Sequence, residues 1–155
     1  MKTKLKLATL TLLVIFVLLQ FTSPQRTNPP VTRDMIITLN PPAAVAASLR
    51  AACYDCHSHE TKWPLYARIA PSSWLVASDV NEGRQHLDLS VWPDDPARAA
   101  KKLDSMNEVI DYREMPPKKY TLLHPEARLT EDQRKQMLDW TDAAASQLRA
   151  GSTNQ

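Results

Sequence analysis

Apolar and polar positions follow a helical period in four stretches of this chain. Val45, Leu49 and Ala52 or Cys53 fall on one helical face, with Asn40 as cap and Pro41 as first residue. "SWLVASDVNEG" follows Ser72 or Ser73 as cap and is expected to stop at Gly83. Asp94 or Asp95 caps a third helix from Pro96 to about Tyr112, with Ala99, Leu103, Met106 and Ile110 facing inward. Thr130 and Gln133 form a capping box that opens a fourth, carrying Met137, Leu138, Trp140, Thr141 and Leu148. Residues 26–42, 58–71 and 113–129 are rich in proline, lack a period and read as loops, the first as an extended linker. No internal repeat is visible.

The N-terminal residues break this pattern. "MKTKLK" is basic and residues 7–19 are uncharged and apolar. That run is shorter than the roughly 20 residues of a bilayer span, but Leu5 and Phe21 extend it and no A-x-A site follows. Residues 1–25 therefore read as a cleaved signal peptide or as an anchor that crosses the inner membrane through residues 5–21. Residues 26–40 read as a linker and 41–150 as one domain. Lys2, Lys4 and Lys6 should stay inside, which places the rest in the periplasm or otherwise outside the cytoplasm.

Composition adds the fold class. Two glycines against twelve prolines supply few hairpin turns, so we expect an all-α domain of about four helices joined by proline-stiffened loops. Charge removes one class of function. Four of the 19 basic residues lie at or before Arg26, while all 17 acids lie after residue 33. The domain is slightly acidic and has no nucleic-acid footprint.

The chemistry lies in "CYDCH", where Cys53 and Cys56 are the chain's two cysteines and His57 follows. C-x-x-C-H is the attachment pattern of haem c. Two thioethers reach the vinyl positions on one porphyrin edge, and the adjacent imidazole binds the iron axially. A disulfide suits an exported chain, but a redox dithiol expects a βαβ context that this pattern lacks. A zinc site would have to ligate through both Cys56 and its neighbour. Haem is the preferred cofactor. Met115, in "EMPPKKY", is the leading sixth ligand because prolines fix its loop, whereas Met106 and Met137 fit a core. His86 and His124 are rivals, and His59 reads as a solvated loop residue. Trp63, Tyr66, Trp74 and Trp92 are expected to wall the haem, with Arg68 and Arg84 near its propionates and Lys118 and Lys119 as a docking patch.

Three long segments, "QFTSPQRTNPP", "CYDCHSHETKWPLYARIAPSSWLVASDVNEGR" and "EMPPKKYTLLHPEARLTEDQRKQMLDW", resemble the bacterial haem-binding-domain family of small exported c-type cytochromes. The resemblance implies a cytochrome c-like fold, haem on Cys53 and Cys56, His57 proximal and Met115 distal. It also implies a glycine before Glu114, where this chain has Arg113. The function expected is electron transfer with redox partner proteins rather than catalysis. The alternatives are a peroxidase-type enzyme or a redox or gas sensor with an open or histidine-ligated sixth position.

Overall fold

The computed structural model describes residues 2–152. Among them it is all-α. There are eight α-helices, two short 3-10 turns and, instead of a sheet, one isolated bridge between Arg33 and Val91. The four expected helices are present as α3 (Ala43–Ala52), α5 (Ser72–His86), α6 (Pro96–Asp111) and α8 (Glu131–Ser152). The apolar N-terminal run is α1 (Lys2–Gln20). Two short helices fall in segments that showed no period, α2 (Met35–Leu39) and α7 (Lys118–Leu123), and a third, α4 (Tyr54–His57), follows the end of α3.

The caps act as their chemistry dictates in α6 and α8. Asp95 accepts from the Arg98 amide at 2.8 Å with Pro96 inside the first turn. In the box, the Thr130 amide donates to Gln133 Oε1 at 2.9 Å, and the Gln133 amide donates to Thr130 Oγ1 at 3.2 Å. Three expectations fail. Pro71, not Ser72 or Ser73, precedes α5, and Ser72 Oγ donates to Tyr66 O and Ile69 O instead of capping. Asn40 ends α2 in the left-handed region, at φ 46°, and does not start α3. Asparagine suits both positions, so residue type alone did not separate them. Gly83 lies inside α5, which runs on to His86.

The core forms where α6 and α8 pack along each other, with α2, α3 and α4 closing over them. Ala99, Ala100, Leu103, Met106 and Ile110 of α6 meet Met137 and Ala145 of α8, with Val45, Leu49 and Trp92 adjoining. Asn107 donates across this interface to Leu138 O at 2.9 Å and Thr141 Oγ1 at 2.7 Å. The supposed linker contributes to the core: Met35 is fully buried. A five-residue helix is too short to show a period, and burial of Met35 and capping by Asp34 stabilise it instead.

Candidate cofactor site

The motif is one helical turn. The His57 amide donates to Cys53 O at 2.9 Å, so Cys53 and Cys56 share a side, three residues apart, with His57 next along it. His57 Nδ1 lies 2.9 Å from Gly83 O and 3.0 Å from Leu87 O. Both partners are acceptors only, which assigns the ring proton to Nδ1 and leaves Nε2 as a bare lone pair. Burial holds the imidazole's pKa below its ordinary value, and the neutral ring is the form that ligates a metal.

Gly83 explains how α5 comes so close. A Cβ there would sit 2.6 Å from Cys56 O, inside any real contact. Glycine serves the crossing of α4 and α5, and helix termination plays no part.

The two middle residues of the motif are also held. The Tyr54 hydroxyl donates to Asp34 Oδ2 at 3.0 Å, and the Tyr120 hydroxyl donates to Asp55 Oδ2 at 2.8 Å. Burial, with the facing carboxylate, raises both phenols and keeps them protonated donors. Tyr120 lies on α7, just beyond Met115, so this bond ties the methionine loop to the cysteine turn.

Met115 and His57 line one cavity of about 920 Å³, near the upper end for small-molecule sites. Cys53, Leu87, Met106 and Val109 add apolar wall. The Met115 loop is set by its backbone. The Glu114 and Met115 amides both donate to Val109 O, at 3.0 and 3.1 Å. Arg113 sits at φ 58°, a left-handed position at a helix end that glycine fills without strain. This is where the family resemblance implies glycine. Arg113→Gly should raise the midpoint of thermal unfolding by a few degrees, measured by circular dichroism. The Arg113–Glu131 ion pair that it loses is exposed on both sides and contributes little.

Several expected site residues lie elsewhere. Trp63, Tyr66, Arg68 and Trp74 are not among the residues lining the cavity. Trp63 Nε1 donates to Asn28 at 3.3 Å, Trp74 Nε1 donates to Thr22 O at 3.1 Å, and Arg68 is exposed. Tyr66 bonds to His124 Nε2 at 2.7 Å. His124 also stacks on Tyr120 and faces Glu126, so its ring is occupied. Trp92 is buried in the core between Val91 and Pro93, which do line the cavity. Arg84 borders the cavity but is committed to Ser58, Thr27, Asn28 and Thr61. His59 is not solvated: its side chain is 9% exposed, between Asp88 and Pro30 O. Lys119 is paired with Asp79 and is no open docking charge. His86 does border the cavity, with Nδ1 on Glu82 O.

Sequence reasoning missed the cavity's cations, Arg98, Lys101 and Lys102 of α6. They form an i, i+3, i+4 stripe beside the buried one, and that spacing was the available signal.

Burial pushes the thiol of Cys53 up to about 12 and that of Cys56 up to about 11. Both are protonated at neutral pH, unlike the low-pKa thiolate of a redox dithiol. Among the described residues, no group of three or more His, Cys, Asp or Glu is placed to hold a metal ion. The donor set fits haem better: one oriented imidazole, one thioether, the Cys53 thiol and a cationic rim around an apolar cavity, with Cys56 one turn on from Cys53 and outside the lining.

The family described as "Haem-binding domain" matches residues 14–143. The chain belongs to that family. This haem-binding domain is also similar to the cytochrome c peroxidase Ccp of Escherichia coli (strain K12), 27% identical over 93 residues. The match covers 57% of this chain but spans only 20% of that protein. No solved structure matches.

Proposed function

We propose that this haem-binding chain is a mono-haem c-type cytochrome that carries electrons outside the cytoplasm. Cys53 and Cys56 hold the haem covalently, His57 is its proximal ligand and Met115 its distal ligand. One observation carries the reading: His57 Nδ1 is fixed by two carbonyls, which frees Nε2 for a cavity that Met115 also lines. Bound haem supplies a one-electron couple.

The chain's own residues do the rest. Gly83 O and Leu87 O keep the imidazole in one tautomer and one orientation. Met115 closes the sixth position, so no substrate site is needed. Val109, Met106 and Leu87 exclude water. Arg98 and Lys101 supply charge for the propionates, the role expected of Arg68 and Arg84, while Lys102 Nζ donates to His86 O at 2.6 Å. Redox partner proteins would meet the exposed side of this cavity.

A peroxidase reading has one specific support, the name of the Escherichia coli relative. It would need Met115 displaced and His86 as the acid–base group.

The test is a spectrum. The protein, matured in an exporting host, should carry covalent haem and show the weak far-red band of an iron–sulfur bond when oxidised. Covalent haem without that band, together with peroxide turnover, would favour the enzyme. No covalent haem would overturn both.

A further inference from the structure

We propose that α1 is retained as an anchor and that the stretch from Leu65 to Leu75 rests on the phospholipid surface beside it. At 19 residues, α1 is about 28 Å long, close to the roughly 30 Å of a hydrocarbon core, with Lys2, Lys4 and Lys6 at one end placed to extend their ammonium groups to the interface. Its apolar window has mean hydropathy 1.7 and no buried residue.

The last residue of this helix and the chain just after it are fastened to one place in the domain. The Ala70 amide donates to Gln20 Oε1 at 2.9 Å, Trp74 Nε1 donates to Thr22 O at 3.1 Å, and Arg26 donates to Ala67 O at 3.3 Å. That same place exposes apolar bulk. Leu65 is 76% exposed, Leu75 67% and Ile69 43%, beside Phe21 at 83%. Such a patch marks an interaction surface, and its continuity with α1 says which: lipid.

The composition agrees. Residues 61–78 contain no Asp or Glu, but they hold Lys62, Arg68, Trp63, Tyr66 and Trp74. Indole and phenol rings with a few cations are what a membrane–water boundary favours, and an exposed arginine there can extend its head toward lipid phosphate. None of these residues lines the cavity. Trp63, Tyr66 and Trp74, three of the four residues expected to wall the haem, thus share a different stretch of the chain. Ser72 and His86 are opposite ends of α5, whose 15 residues span roughly 22 Å. The lipid-facing stretch takes the first turn of that helix, whereas Arg84, Gln85 and His86 at its other end border the cavity.

The test uses the full chain in vesicles of phosphatidylethanolamine and phosphatidylglycerol, with a photoactivatable carbene precursor near the lipid glycerol. Mass spectrometry should find lipid adducts on Leu65, Ile69, Trp74 or Leu75 as well as on α1. The double variant Leu65→Ser/Leu75→Ser should lose adducts in 65–75 several-fold, with those on α1 and the visible spectrum unchanged. Adducts confined to residues 2–21, adducts undiminished in the variant, or a mature chain lacking α1 would each overturn the proposal. If the variant does not fold, the wild-type map decides alone.

Discussion

Gly83→Ala should destabilise the protein, although it improves the helix that contains it. In an open helix the change stabilises by about 1 kcal/mol. Here the new methyl would lie 2.6 Å from Cys56 O, and that neighbour is backbone, so no rotamer change relieves it. Overpacking of this kind costs about 1–3 kcal/mol, which outweighs the propensity gain. The functional effect should be larger. Gly83 O and Leu87 O both hold His57 Nδ1, so moving α5 outward releases the imidazole. We expect a lower denaturation midpoint and a several-fold lower yield of haem-bearing protein, read by urea unfolding and by haem stain. A variant more stable than wild type would show that the crossing of α4 and α5 relaxes freely, and Gly83 would lose its spacing role.

Met115→Ala should leave the fold and empty the sixth position. Met115 is half-buried, and the amides that set its loop donate to Val109 O whatever the side chain. On the proposed ligation, the far-red band disappears, the reduction potential falls and small ligands such as cyanide gain access. Spectra and a redox titration check this. Met137→Leu is the control: Met137 is fully buried in the core and does not line the cavity, and a volume-conserving change there costs less than about 1.5 kcal/mol and should leave the spectrum alone. A full far-red band in Met115→Ala would remove the methionine from the ligand set.

What could be read in the sequence divides along physical lines. α6 and α8 were legible because their caps and apolar period agree, and the buried faces are those the period named, with Ala100 and Ala145 added. α2 and α7 have five and six residues, too few for a period, and depend on contacts made far away. Gly83 was visible but misread, since glycine serves chain reversal and close approach alike. The motif pointed to haem, as the family match does, because thioether spacing is local; its assignment of Cys53, Cys56 and His57 to that haem belongs to the proposed ligation. Trp63, Tyr66 and Trp74 could not be placed in the same way. A large ring in a sequence signals burial or an interface but does not name the surface it meets. The cations at the cavity were hidden for the opposite reason, as Arg98, Lys101 and Lys102 look like any solvated helix face.

The two hydroxyl–carboxylate bonds that hold the motif also impose an order on its assembly. Asp34 and Tyr54 are 20 residues apart, whereas Asp55 and Tyr120 are 65 apart. Closing the longer loop costs about 1 kcal/mol more chain entropy, and distant pairings form more slowly. The side of the turn held by Asp34 should therefore be shaped first, from sequence already at hand. The Met115 side should close later, bringing its wall onto a turn that is already set.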